Sequence, residues 1–221
     1  MRTWLVIAAE RREFDGILRR FGTSSDLEWP GVRFARQSEW NGDRWLLVAS
    51  GPGTGLVRKA LGHRTDVSGI ISTGFCGALD PALRVGDIVV RGDSQVQSEM
   101  PFVRGEILST NRVAVRAEEK HELRARTGAL AIEMEAAAVA RTAAEWSVPF
   151  HCIRAVSDAA CTNLPLDFNL YRDAEGRFSR SRIALAAMAR PFSVMPALLE
   201  FDRDCRRAAE VLGDFFADCR F

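Results

Sequence analysis

The chain of 221 residues is 47% hydrophobic, which is enough length and apolar content to bury the core of one ordinary domain. Its 30 Lys and Arg residues are balanced by 29 Asp and Glu residues, and the net charge of +1 excludes a general attraction to nucleic acid. Apolar runs stay below the ~20 residues that cross a bilayer, and the N-terminal run is too short for a secretory signal. The 5 cysteines show no paired spacing, so a disulfide framework and a metal site are disfavoured and a reducing cytoplasm is expected.

Short apolar runs alternate with helical patterns along the chain. Strands are predicted at residues 3–9, 44–50, 69–74, 86–90 and 149–157. Helices are predicted at 10–20, 54–62, 117–126, 134–145, 181–189 and about 201–216, and the polar segment 173–182 is predicted to be a loop. This alternation favours an α/β fold, a three-layer sandwich with a mixed, largely parallel twisted central sheet flanked by helices. Neither a repeat nor a linker is evident, so a single domain over residues 1–221 is predicted.

Acidic and glycine-rich segments follow the predicted strands. Glu13 comes soon after the first strand, the glycines of GPGTG at 51–55 follow the second, and Asp158 follows the last. The apolar run at 129–132 leads into a Glu-Met-Glu segment at 133–135. Ligands of α/β proteins bind at the carboxyl ends of strands, so we expect these segments to surround one site. Acids suit proton transfer and hydroxyl binding, and glycines allow a ligand to approach the backbone closely.

Each of these features also has a purely structural interpretation. The segment at 51–55 lacks the last glycine of a dinucleotide-binding loop, so a tight turn is favoured there over a cofactor site. Glu13 could be a solvated helix residue, and Asp158 could cap a helix. Glu133 and Glu135 could be acids that interact with a helix dipole. Because Glu135 leads directly into alanines that suit a tightly packed helix, we favour a buried and functional Glu135.

Four segments together resemble the purine nucleoside phosphorylase/nucleosidase superfamily. They are AAERREF at 8–14, STGFCGALDPALRVGDIVV at 72–90, IEMEAAAVA at 132–140 and IRAVSDAA at 153–160. Within the superfamily, residues 105–136 and 189–208 look most similar to the hopanoid-biosynthesis-associated phosphorylase group. The resemblance implies cleavage of the N-glycosidic bond of an adenine-type purine nucleoside, with adenosylhopane as the substrate suggested by the subgroup.

The resemblance also implies a role for each acid. Asp158 would protonate N7 of the purine, Glu13 would activate water, and Glu135 would hold the 2′ and 3′ hydroxyls of the ribose. Met134 would pack against the sugar, and Arg154 would lie near the water. Further substrate contacts are expected from Glu133, Ser157, Phe75, Gly74 and Val113, and a phosphate or water site is expected at Gly51, Gly53 and Ser72.

The nucleophile, water or phosphate, distinguishes the two predicted activities, a nucleosidase and a phosphorylase. Hexameric purine nucleoside phosphorylases have an arginine and a serine that hold phosphate where this chain has Ser72 and Phe75. Glu13 stands where the nucleosidases have the glutamate that activates water, so hydrolysis is favoured over a phosphate-dependent phosphorylase. A catalytically inactive nucleoside-binding module is disfavoured because Glu13, Glu135 and Asp158 are all present.

Other classes of enzyme find less support in the sequence. A dinucleotide-dependent oxidoreductase would need a glycine-rich turn after the first strand. A cysteine hydrolase based on Cys76 would need a histidine in an informative position. The resemblance implies no metal and no organic cofactor, with inorganic phosphate as co-substrate only for a phosphorylase. We expect a purine nucleoside as the partner and a homodimer or higher homo-oligomer, while a peripheral membrane contact stays open.

Overall fold

Aliphatic and aromatic residues build the strands of one mixed sheet. The computed structural model describes residues 1–92 and 94–221. The strands are β1 (Thr3–Ala8), β2 (Ser24–Asp26), β3 (Phe34–Trp40), β4 (Asp43–Ala49), β5 (Gly69–Ser72), β6 (Phe75–Ala78), β7 (Ile88–Arg91), β8 (Val103–Gly105), β9 (Ile107–Ser109), β10 (Ala131–Glu133) and β11 (Phe150–Asp158). The helices are α1 (Asp15–Phe21), α2 (Thr54–Ala60), α3 (Ala117–Thr127), α4 (Ala136–Trp146), α5 (Arg180–Met188) and α6 (Val194–Asp218).

The sheet has the order β2-β3-β4-β1-β5-β11-β6-β10-β9, and β7 joins it by pairing with β11 and β8. Strands β4, β1, β5 and β11 run parallel to one another, and β6 continues this parallel set beside β11. Antiparallel pairs join β2 to β3, β3 to β4, β6 to β10 and β7 to β11. The prediction of a mixed, largely parallel central sheet flanked by helices is therefore confirmed.

Strand β1 shows how the helices cover both faces of the sheet. Because successive side chains of a strand point to opposite faces, Trp4 and Val6 pack in one core cluster while Leu5 and Ile7 pack in another. The first cluster contains buried residues of α1 and α6, and the second contains buried residues of α2 and α4. Among the described residues, none of the helices combines the length and apolar character that crossing a membrane requires.

Strand β11 carries the residues that matter most for the site. Its first part pairs with β5 on one side, and its second part lies between β6 and β7. The pairing with β6 shifts by one residue between Val156 and Asp158. A shift of this kind bends a strand and re-aims its side chains, and here it falls on Ser157 and Asp158 at the carboxyl end.

Some predicted boundaries differ from those in the structure. The predicted helix at 10–20 is a 3-10 turn, Arg11–Phe14, followed by α1. The predicted strand at 86–90 begins pairing only at Ile88, because Gly86 has a φ of 93° and forms a turn. The segment at 173–182, predicted to be a loop, ends inside α5. The last helix begins at Val194 rather than near 201.

Candidate active site

A cavity of about 900 Å³ opens at the carboxyl ends of β1, β10 and β11, beside Phe75, Cys76 and Gly77 of β6. Four acidic side chains that come from segments far apart in the sequence line its inner part, namely Glu13, Glu133, Glu135 and Asp158. All four are buried. One wall of its outer part is apolar and is lined by Leu164, Phe168, Phe178, Ile183, Leu198 and Phe201, while exposed charged side chains, among them Arg19, Arg180 and Arg206, also border the opening. The polar groups and the apolar mouth therefore lie where ligands of parallel α/β sheets bind.

Glu13 is held by the backbone at the end of β1. The 3-10 turn Arg11–Phe14 directs its side chain inward, where Oε1 accepts a hydrogen bond from the Phe75 N–H at 2.7 Å. Its Oε2 accepts from the Glu10 N–H at 2.6 Å. Burial raises the pKa of the Glu13 carboxyl above its ordinary value, while these two hydrogen bonds and the Arg154 charge act in the opposite direction. The result is an oriented carboxylate with increased basicity.

Arg154 lies at the centre of this acidic group and is completely buried. Its Nη2 donates to Ser72 Oγ at 2.7 Å and to Glu133 Oε2 at 2.5 Å, and its Nη1 donates to the Thr73 carbonyl at 2.6 Å. Nη1 also lies 3.6 Å from Glu135 Oε2. Burial opposes the charge of Arg154, but the neighbouring carboxylates outweigh burial and raise its pKa.

Gly74 is what lets Glu13 and Arg154 come close. Its φ of 121° lies in the region that favours glycine. A Cβ at this position would overlap with the Glu13 carboxylate and would lie 3.1 Å from Arg154 Nη1. Gly74 therefore shapes the pocket without lining the cavity.

The two glutamates of the Glu-Met-Glu segment have different surroundings. Glu133 Oε2 accepts from the N–H groups of Glu135 at 2.7 Å and Ala136 at 2.8 Å, at the start of α4, and its Oε1 accepts from the Ser109 hydroxyl. Glu135 Oε1 accepts from the Gly53 N–H at 2.8 Å. Glu133 is thus satisfied by the protein itself, whereas Glu135 keeps hydrogen-bonding capacity on the cavity side.

The charge state of Glu135 depends strongly on this environment. Burial raises the pKa of Glu135 to about 8, and the Glu133 carboxylate acts in the same direction. Arg154 and the Gly53 N–H oppose the change. A carboxyl group with this pKa can act as a donor as well as an acceptor toward hydroxyl groups near neutral pH.

Asp158 forms a second polar centre with a lysine from α3. Its Oδ2 accepts from Lys120 Nζ at 2.5 Å, and its Oδ1 accepts from the Ser157 hydroxyl at 2.7 Å. Lys120 also donates to the carbonyls of Ala159 at 2.8 Å and Thr162 at 3.0 Å, and its side chain is completely buried. The ammonium group therefore fixes both the Asp158 carboxylate and the loop that follows β11.

The cavity brings together most of the residues singled out in the sequence. Those that line it are Glu13, Phe75, Val113, Glu133, Met134, Glu135, Ser157 and Asp158. The expected phosphate or water site at Gly51, Gly53 and Ser72 lies outside the lining. The Gly53 N–H donates a hydrogen bond to Glu135, and the Ser72 hydroxyl accepts one from Arg154. A Cβ on Gly51 would lie 2.8 Å from the Arg177 guanidinium.

Sequence reasoning missed Lys120 and the part of the outer wall that Phe178, Ile183, Leu198 and Phe201 form. Lys120 lies in AEEKHELRART, a run that is typical of a solvated helix, and nothing in the run separates it from its charged neighbours. The one available signal was that a buried Asp158 carboxylate would need a nearby cation. Arg172 was also missed, although its Nη2 lies 3.5 Å from Met134 Sδ. Within residues 1–92 and 94–221, no cluster of three or more His, Cys, Asp or Glu side chains could hold a metal ion.

This arrangement suits acid–base chemistry on one small polar molecule. Glu13, Glu135 and Arg154 form one centre, Asp158 with Lys120 forms another, and both border the same cavity. Two polar centres with different partners can serve opposite ends of a bound substrate. The fold and the site thus define an α/β protein with a nucleoside-sized acidic pocket and an apolar mouth.

Comparison with known families gives the same class. Residues 91–189 match the Phosphorylase superfamily. The 5′-methylthioadenosine/S-adenosylhomocysteine nucleosidase of Tolumonas auensis is 26% identical over an aligned length of 220 residues. The alignment covers 80% of this chain and 95% of that protein. The Staphylococcus aureus enzyme of the same name is 29% identical over 174 residues, covering 58% of this chain and 75% of that protein. The predicted resemblance is therefore supported by the match of residues 91–189 to this superfamily and by the similarity of the chain to these nucleosidases.

Solved structures agree on the fold. The Neisseria meningitidis 5′-methylthioadenosine/S-adenosylhomocysteine nucleosidase in complex with methylthio-immucillin-A superposes with a TM-score of 0.70 at 22% identity, covering 98% of this chain and 97% of that chain. A futalosine hydrolase mutant of Helicobacter pylori superposes with a TM-score of 0.66 at 18% identity, with coverage of 98% and 97%. The predicted fold class is confirmed by these similarities.

Proposed function

We propose that this protein is a purine nucleosidase that uses water to cleave the N-glycosidic bond between an adenine-type base and ribose. The observation that carries the proposal is the convergence of Glu13, Glu135 and Asp158, from three distant parts of the chain, on one cavity. Homology to nucleosidases supports the same reaction. Each of the three carboxyl groups has hydrogen-bond partners that fit a different task.

Glu13 activates the water. As the bond between C1′ and N9 breaks, its electron pair moves onto the base and positive charge develops at the ribosyl centre. The water oxygen forms the new bond to C1′, and Glu13 takes one of its protons. Two backbone N–H donors orient the Glu13 carboxylate, and its raised pKa makes it a better base than an ordinary glutamate.

Asp158 passes a proton to N7 of the departing base: the carboxylate that pairs with Lys120 takes up this proton from solvent when the substrate binds, and gives it to N7 as the bond to C1′ breaks. Donation leaves a carboxylate, which the Lys120 ammonium at 2.5 Å and the Ser157 hydroxyl at 2.7 Å stabilise. Preorganised donors that stabilise a charge formed during the reaction lower its barrier, because they need no reorganisation. Lys120 acts through Asp158 and is therefore a positioning residue.

Glu135 holds the sugar. Its Oε1 is fixed by the Gly53 N–H, and its second oxygen faces hydroxyl groups of the ribose. Met134 packs against the apolar side of the sugar, and Arg172 lies against the Met134 sulfur at 3.5 Å. A clamp on the 2′ and 3′ hydroxyls positions C1′ between the water and the base.

Charge favours water over phosphate as the nucleophile. Three carboxyl groups, those of Glu13, Glu133 and Glu135, surround Arg154, so that acidic groups outnumber the cation there and favour a negative charge. This charge would repel a phosphate dianion in a site of low dielectric constant. Ser72 stands where the phosphorylases have a phosphate-binding arginine, and its hydroxyl already accepts a hydrogen bond from Arg154 at 2.7 Å.

We also propose that the substrate carries a large apolar group on its 5′ carbon, of which adenosylhopane is the example that the subgroup resemblance implies. The cavity of about 900 Å³ is near the upper end of the range of about 300–1,000 Å³ for small-molecule sites. Its outer wall presents Phe168, Phe178 and Leu198, which suit an alkyl or polycyclic group better than a polar one.

The test is to incubate the purified protein with adenosine-type nucleosides, with and without phosphate, and to identify both products. The proposal predicts free adenine and free ribose, or its 5′-substituted form, at the same rate in both conditions. A sugar 1-phosphate formed only when phosphate is present would instead identify a phosphorylase. No base release from any adenine nucleoside, including those with long 5′ alkyl groups, would leave only the nucleoside-binding alternative.

A further inference from the structure

Exposed apolar side chains form a patch that comes from α5, from the turn that follows it and from the first part of α6. It consists of Leu185, Met188, Phe192 and Leu199, which are 64%, 61%, 96% and 58% exposed. Leu185, Met188 and Phe192 follow one another at spacings of three and four residues. In the helical part of this segment, that spacing places side chains on one side. We call these four residues the α5 patch.

Helix α5 is apolar on its inner side as well. Ala187 is buried in a small cluster with Leu166 and Val194, and Ile183 packs against the same cluster. A surface helix of a water-soluble protein normally has a polar outer face. An apolar outer face of this kind marks a site of interaction with a protein or a membrane.

Residues 176–199, which carry the α5 patch, are positively charged, and acidic residues begin again at Glu200, next to Leu199. Residues 176–199 contain no Asp or Glu, although the whole chain carries a net charge of only +1. The arginines of this segment are Arg177, Arg180, Arg182 and Arg190. Arg180 lies 3.5 Å from Glu10, whereas Arg182 donates to the backbone carbonyls of Arg172 and Leu170 and keeps its charge. Within the part of the chain that the structure describes, Arg190 forms no ion pair.

We propose that the α5 patch docks onto an anionic lipid surface. Apolar side chains next to arginines are what binds a helix to the interface of a membrane with anionic headgroups. A second copy of the chain fits the same surface less well. A two-fold contact would place the arginines of one copy opposite those of the other, with no acidic residue in this segment to pair with them.

Docking would bring the mouth of the cavity to the lipid. Ile183 and Ala184 of α5 line the cavity, while Leu185 and Met188 of the same helix point to the exterior. A nucleoside with an apolar 5′ group could then pass between the bilayer and the cavity with its apolar part shielded from water. This second part of the inference rests on the proposed function, whereas the lipid contact does not.

The contact is tested by flotation of the protein with vesicles of phosphatidylcholine alone and of an equimolar mixture with phosphatidylglycerol. We expect binding to the anionic vesicles that weakens at high salt. The double substitution Met188→Ser/Phe192→Ser should lower the partition coefficient by about tenfold or more, because two large apolar side chains no longer insert. Arg190→Gln should lower it about fivefold. Val103→Ser, at an exposed valine of β8, is the matched control and should leave it unchanged.

Two further measurements separate the possible outcomes. Release of adenine from a water-soluble nucleoside should be the same in the wild type and in all these variants, which shows that the site is intact. If the wild type releases no base but binds anionic vesicles, the proposed function fails and the lipid contact stands. Equal binding to both vesicle types, no binding, or a dimer that the double substitution converts to monomers in analytical ultracentrifugation would overturn the lipid contact.

Discussion

The ammonium group of Lys120 lies 2.5 Å from Oδ2 of Asp158, and the lysine side chain is completely buried. The pair joins α3 to the carboxyl end of β11, and two backbone carbonyls complete the surroundings of the ammonium. A buried ion pair adds little net stability compared with an apolar pair, but removal of one partner leaves a buried charge without compensation. The pair therefore links the stability of the fold to the position of the proposed acid.

We predict that Lys120→Met destabilises the protein by about 3–5 kcal/mol, because Asp158 is left without its cation. Turnover of adenosine should fall with little change in KM, since Asp158 acts on the base during bond cleavage. Urea unfolding and steady-state kinetics measure the two effects. Lys59→Met, at an exposed position of α2, is the control. Full activity and full stability of Lys120→Met would show that Lys120 does not support Asp158.

Arg154→Met should also cost about 3–5 kcal/mol in the free energy of unfolding. This arginine compensates two buried glutamates, Glu133 and Glu135, and its loss leaves them facing each other. Arg154→Lys should recover part of the loss, because it keeps the charge but cannot contact Ser72 and both acids with the same geometry. Arg58→Met, on the exposed side of α2, serves as the comparison in urea unfolding. Equal stability of Arg154→Met and wild type would contradict the central role of this cation.

The pH dependence of stability should report on Glu135. Its carboxyl has an ordinary pKa of 4.5, and burial raises the pKa to about 8 in the folded protein. The folded state therefore holds this proton more tightly than the unfolded state, so the contribution to stability is complete below pH 4.5 and is lost as the pH rises through 8. In Glu135→Gln the free energy of unfolding should fall less over that range than in the wild type. Superimposable pH profiles of the two proteins would mean that Glu135 is not perturbed.

Glu13→Gln should lower turnover by about 10²–10⁴-fold, because glutamine cannot accept the proton from water. The amide oxygen can still accept the hydrogen bond from Phe75, so the circular dichroism spectrum should be retained. Glu10→Gln, three residues earlier, is the control and should keep most of the activity. Wild-type turnover in Glu13→Gln would remove the base from the proposed reaction.

The central part of the fold could be predicted because burial leaves a clear pattern. Strands β1, β4, β5 and β11 are short apolar runs, as expected of strands covered on both faces. Their carboxyl ends meet at one edge of the sheet, which is why the acids near them could be expected to share a site. The buried position of Glu135 followed from the alanines of α4, whose small side chains pack closely.

The remaining elements gave weaker signals. Strand β3 carries polar side chains in FARQSEW because it lies near an edge of the sheet and is only partly covered. Strand β6 has four residues inside a glycine-containing run, which is too short for an alternation to be read. Lys120 could not be found because burial of a lysine depends on tertiary contacts with Asp158 and with carbonyls that no local pattern encodes.

The most direct test of the proposed reaction is to run it in heavy-oxygen water with phosphate also present, and to analyse the sugar by mass spectrometry. We expect free sugar and no sugar 1-phosphate, with the heavy oxygen at C1 when the sugar is reduced with borohydride at once, before its C1 oxygen exchanges with water, and the same product formed about 10²–10⁴-fold more slowly by Glu13→Gln. Sugar 1-phosphate without the label would contradict it.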